Sequence, residues 1–223
     1  MSPFLWLTAV VMVVMVGLLA LAGALGRAAK GGVDELANPR FTTMDFAELP
    51  DWVRRRLTGL RDQFIALGFT ELTCYRRHSP RLNYTCLFVS PDGLTLASAW
   101  IARARGLMLW LVVPAFGWSA FKNELLALPR FGLTTHFPDA RMIETTPTEL
   151  PAKSHVAGEL EFVIVPPTMP LAAIRERHEA AAQEFARRCG AGPVSITTVE
   201  QFLASERAMI IRMAERLRRK IAG

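Results

Sequence analysis

Residues 69–90 read FTELTCYRRHSPRLNYTCLFVS. Two runs rich in β-branched and aromatic side chains, Phe69–Arg77 and Asn83–Ser90, flank His78-Ser79-Pro80-Arg81, whose proline and serine suit a turn. The stretch therefore predicts a β-hairpin. With the turn centred on Pro80, Cys74 and Cys86 each lie six residues from the centre and are directly opposed, with side chains on one face of the pair. Two readings fit that opposition, a disulfide or two small buried apolar side chains. In a reducing compartment the second is preferred. Cys189, the third cysteine, has no argued partner, and an odd count of three makes no disulfide framework.

Working outward, Pro91-Asp92-Gly93 turns the chain into a further strand, Leu94–Ala102, extending the hairpin to a meander. Leu107–Val113 reads as an apolar strand, and Gly132–Phe137 with Arg141–Thr145 as a hairpin around Pro138-Asp139-Ala140. Glu159–Val165 is a last strand, stopped by Pro166 and Pro167. Before the hairpin, Val53, Leu57, Leu60, Phe64 and Leu67 recur at helical spacing between Pro50 and Gly68, which predicts a helix over Pro50–Leu67. After the strands, Pro170 to Cys189 predicts a second helix ended by Gly190. A third starts at Thr197 or Thr198, where Glu200 stands three residues after Thr197 as in a capping box. The expected class is α+β, an antiparallel sheet with one preceding and two C-terminal helices packed on one face.

At the other extreme of the chain, Phe4 to Gly26 carries no charge over 23 residues. A helix of that length spans roughly 34 Å, against a hydrocarbon core of about 30 Å. The expectation is one transmembrane helix. A cleaved secretory signal is the rival reading, but Met1-Ser2-Pro3 lacks the basic start and the apolar run is long for a signal. Arg27, Lys30 and Arg40 follow the segment and no Lys or Arg precedes it, so the positive-inside bias puts the N-terminus outside and the following domain in the cytoplasm, at an inner or plasma membrane. The expected division is 1–30 for anchor and flank, 31–49 for linker and extended segment, and 50–223 for a single soluble domain.

The layout resembles uncharacterised membrane-anchored bacterial proteins: an N-terminal span, a helix ending in Ala66-Leu67-Gly68-Phe69, a meander, then Thr134 to Ala140 and Glu144-Thr145-Thr146. The resemblance implies a shared architecture and carries no activity or functional residues.

Composition narrows the function classes. With 26 basic and 20 acidic residues the charge excess is mild and diffuse, which argues against a nucleic-acid partner. There is no HExxH, G-x-S-x-G, P-loop or G-x-G-x-x-G, and no cofactor or metal is expected. The groups left for acid–base chemistry are His136, Asp139, Glu144 and His155, with no recognised constellation among them. Apolar contact is better represented. Leu107–Phe121 is uncharged and bears Trp110, Phe116, Trp118 and Phe121, which suit a buried strand and loop, an interfacial wedge or the lining of a ligand pocket. Arg216, Arg218, Arg219 and Lys220 crowd the end of the last helix, where they complement the helix dipole or meet anionic lipid.

Three functions are therefore expected in order. The first is a non-catalytic binding or assembly module at the cytoplasmic membrane face, with the bilayer and a membrane-protein complex or homodimer as partners. The second is a binder of lipid or another hydrophobic ligand, which requires an enclosed apolar cavity with few polar groups. The third is a membrane-tethered enzyme, which requires His136, Asp139, Glu144 or His155 to converge in a cleft.

Overall fold

Val53, Leu57 and Phe64 are fully buried along one side of helix α1, Asp51–Ala66, and their spacing is why this segment is a helix at all. Its end is specified residue by residue. Gly68 takes φ +86°, the Gly68 amide donates to the Ile65 carbonyl at 2.9 Å, and the Phe69 amide donates to the Phe64 carbonyl at 3.0 Å. This is a Schellman motif, and the contact that usually accompanies it is present, with the Phe64 and Phe69 rings 5.8 Å apart edge to face. The Ala66-Leu67-Gly68-Phe69 pattern is thus a helix stop that also seats Phe69 in the core.

The structure is a computed structural model and describes residues 40–78, 82–103, 128–148 and 160–222. Among these residues it is α+β, with a seven-stranded, mostly antiparallel sheet and three α-helices. The strands are β1 (Arg40–Met44), β2 (Thr70–His78), β3 (Leu82–Val89), β4 (Leu96–Arg103), β5 (Arg130–Phe137), β6 (Arg141–Pro147) and β7 (Leu160–Val165). Helices α2 (Leu171–Cys189) and α3 (Val199–Ala222) follow. Strand order in the sheet is the order in the chain. Residues 40–209, which hold the whole sheet, form one compact unit.

The hairpin register places Cys74 opposite Cys86, as the turn centre predicts, and the two are joined by a disulfide. This corrects the preference for two buried thiols. Both cysteines are fully buried beneath α1, in a cluster with Val53, Leu57, Phe64, Phe88 and Ala99.

Alternation along the strands gives the sheet two different faces. One carries Cys74, Cys86, Phe88, Ala97, Ala99, Ile101 and Leu133 and is covered by α1 and α2. There α2 inserts His178, fully buried, whose Nε2 lies 2.9 Å from the Thr135 hydroxyl and whose Nδ1 lies 2.8 Å from the Thr145 hydroxyl. Both ring nitrogens are satisfied, so this histidine ties α2 to β5 and β6 without a free group for chemistry.

Residues Arg40–Met44, within the expected linker and extended segment, pair with β2 as an edge strand. Three expectations need correction. The last strand is parallel to β6, with Met142 beside Leu160 and Pro147 beside Val165. The third helix does not share a face with the other two: Phe202 packs with Tyr75, Leu87 and Leu96 on the opposite side of the sheet. Its capping box uses Thr198 and Gln201, with the Gln201 amide donating to the Thr198 hydroxyl at 3.3 Å and the Thr198 amide to Gln201 Oε1 at 3.2 Å.

Among the described residues no helix is long and apolar enough to cross a membrane. The apolar segment 4–26 and the expected strand 107–113 lie outside the described residues.

Candidate functional site

The second face of the sheet is the unusual one, because its strands put polar side chains where a half-buried sheet ordinarily puts apolar ones. The register sets Thr85 beside Trp100, Leu87 beside Ser98, Thr134 beside Glu144 and His136 beside Met142, all on this face. Tyr75 joins them from β2 and Asn83 from the start of β3. Against these residues α3 lays Phe202, Glu206 and Met209, and a cavity of about 190 Å³ remains between helix and sheet.

One missing side chain makes room for it. Gly132 of β5 pairs with Ser98 of β4, and a Cβ at this glycine would sit 3.1 Å from Glu144 Oε1 and 3.5 Å from Trp100 Cη2. Glycine at this strand position allows the carboxyl and the indole to approach the backbone closely.

Glu144 and Glu206 arrive from different elements at the wall of this one cavity. Burial, then the nearby charge of Glu206, pushes the Glu144 carboxyl up from its ordinary value of 4.5 to about 7. Burial also raises Glu206, with the Arg77 guanidinium opposing that shift. Tyr75 is held well above the ordinary phenol range, first by burial and then by Glu206, so its hydroxyl stays neutral. The cavity therefore offers two carboxyls whose charged forms are disfavoured, a neutral phenol and a tryptophan edge.

His136 borders this cavity and a second one of about 290 Å³, mainly apolar, formed with Phe137, Val194, Ile196, Ser205 and Ala208. Its Nδ1 is 2.8 Å from the Ser205 hydroxyl, and its carbonyl accepts the Val194 amide at 2.8 Å. Burial lowers the imidazole to about 4, so it is neutral near pH 7. A neutral histidine bonded to a serine is a positioned polar pair, and the partner of Nδ1 is a hydroxyl where an orienting carboxylate would stand in a catalytic triad.

Of the residues singled out for acid–base chemistry, His136 and Glu144 line the same cavity. Asp139 does not join them: it sits in the β5–β6 turn at φ 62°, its side chain 79% exposed. His155 lies outside the described residues, as do Trp110, Phe116, Trp118 and Phe121. Arg216, Arg218, Arg219 and Lys220 fall within α3, and their side chains are likewise outside the described set. The cavity beside Glu144 mixes polar groups with Leu87, Leu96, Met142 and Phe202, whereas the second cavity is the more apolar of the two. Among the described residues no group of three or more His, Cys, Asp or Glu side chains is placed to hold a metal ion.

Glu206, Tyr75 and Ser205 are site residues that sequence reasoning missed. For Glu206 a signal existed. It lies four residues after Phe202 and four before Ile210, an acid in the middle of the helix's apolar stripe. In comparison with known proteins, no family model, curated protein or solved structure matches the chain.

Proposed function

We propose that the domain is a non-catalytic binding module, held at a membrane by the apolar segment 4–26, whose ligand is a small molecule carrying a positively charged hydrogen-bond donor such as an amine. The observation that carries this reading is the convergence of Glu144 and Glu206 on one cavity that also presents Tyr75 and Trp100. Two half-buried carboxyls on the wall of one cavity cost free energy to ionise, and a bound cation removes that cost while its donors satisfy their oxygens. At about 190 Å³ the cavity suits a ligand smaller than the drug-sized molecules that fill pockets of about 300–1,000 Å³.

Titration calorimetry of the full chain in detergent with a panel of small organic amines tests this. Expected is saturable binding that tightens from pH 6 to pH 8, as Glu144 loses its proton, and weakens at least about tenfold in Glu144→Gln, the equivalent of about 1.4 kcal/mol. Equal binding by wild type and a Glu144→Gln/Glu206→Gln variant, or binding by none of the panel, overturns it.

A further inference from the structure

We infer that the Cys74–Cys86 bond is installed by a disulfide-bearing oxidant before α1 settles on the sheet, and that the domain therefore works on the oxidising side of its membrane. This inference rests on the membrane anchoring proposed above and is independent of any ligand.

Three observations carry it. The two cysteines are paired residues of β2 and β3, so they meet whenever that hairpin forms in register. Both side chains have no exposed surface, and Val53, Leu57 and Phe64 of α1 pack over the same cluster. The remaining cysteine, Cys189, is a partly covered free thiol at the end of α2, beside Phe185 and remote in sequence from the pair. The bond therefore joins the only two cysteines that the fold opposes, and it does so where a redox pool has no access once the core is closed.

Exchange chemistry needs an exposed sulfur. In the open hairpin, one thiolate attacks a sulfur of the oxidant's disulfide, and the oxidant's other sulfur leaves as a thiolate. The second hairpin thiolate then displaces the oxidant from the mixed disulfide. The hairpin loses two protons and two electrons, and the oxidant departs as a dithiol. In a reducing compartment the same exposed hairpin meets a thiol pool that runs this exchange backwards, so the cysteines enter the core reduced. A buried cross-link thus reports the compartment in which the hairpin was still open.

The consequence reverses the topology suggested by charge. Arg27 and Lys30 after segment 4–26 bias the following chain towards the cytoplasm. That bias is graded and is overridden in some chains, whereas a sealed bond has an absolute requirement for an oxidant. The redox constraint is the stricter of the two and places the domain across the membrane.

The test uses the full chain expressed in bacterial membranes, quenched in acid, denatured and alkylated with a polyethylene-glycol maleimide. Expected is one adduct before reduction and three after, with three before reduction in a host lacking its extracytoplasmic dithiol oxidase. Alkaline phosphatase fused after Gly223, which is active only where its own disulfides form, is expected to be active. Three adducts before reduction in the normal host, an unchanged pattern in the oxidase-deficient host, or a silent phosphatase beside an intact bond each overturns the inference.

Discussion

The Nδ1 of His136 lies 2.8 Å from the hydroxyl of Ser205, and this bond fastens α3 to β5 at a residue that borders both cavities. Removing the hydroxyl leaves a buried ring nitrogen without its partner. Ser205→Ala is expected to lower stability by about 1–3 kcal/mol, the usual cost of stranding a buried polar atom. Denaturant unfolding measures it; an unchanged midpoint would show that water replaces the serine.

Glu144 gives a pH dependence of definite sign. Its carboxyl is raised from 4.5 to about 7 in the folded protein, first by burial and then by Glu206. The folded state thus holds a proton that the unfolded chain has released, and this contribution to stability is full below about 4.5 and lost as pH rises to about 7. His136 and His178, both lowered by burial to about 4, act in the opposite sense: their contribution is lost as pH falls from 6.5 towards 4. Glu144→Gln is therefore expected to gain on the order of 2 kcal/mol over wild type at pH 8 and little at pH 4.5. Thermal unfolding across that range checks it, and a constant difference between the two proteins contradicts the assignment.

Gly132 leaves room for Glu144 and Trp100 to approach the backbone of β5. Gly132→Val brings methyl groups against Glu144 Oε1 and Trp100, where even a Cβ is at 3.1 and 3.5 Å. Expected is a loss of about 1–3 kcal/mol from overpacking, together with loss of amine binding. Retained binding in a folded variant would move the ligand elsewhere.

Reduction of Cys74–Cys86 is expected to cost about 2–4 kcal/mol, since the bond closes a short loop in the unfolded chain. Because both sulfurs are buried, the native protein should resist reductant until it is partly unfolded. Thiol release timed against loss of helix signal checks this; release from the intact fold would mean that α1 lifts off the sheet readily.

How far the fold was legible depends on whether the governing signal is local. The stop of α1 is written in four consecutive residues, and the hairpin register follows from one proline, so both were readable and Cys74 fell opposite Cys86. The oxidation state of that pair was not, because spacing determines geometry and the compartment determines chemistry. The parallel pairing of β7 was equally hidden, since a 160–165 strand has the same pattern whichever way it runs. At the site, His136 and Glu144 stood out as titratable groups, yet only the docking of α3 on the second face brings Glu206 to them. That docking depends on the 190–198 connector, which is pinned by the Val194 amide to His136 and the Ile196 amide to Gly93, each at 2.8 Å. Neither bond leaves a periodic trace.

Strand order in space matches strand order along the chain, so each new strand finds its neighbour already made. Few distant segments must meet before the sheet can grow, the circumstance in which folding keeps pace with emergence from a ribosome or a translocation channel. The half of the chain holding α1 and β1 to β4 is then shaped while α3 is still unborn. The acid-lined cavity, which needs that helix as its roof, can close only once α3 has docked on the sheet.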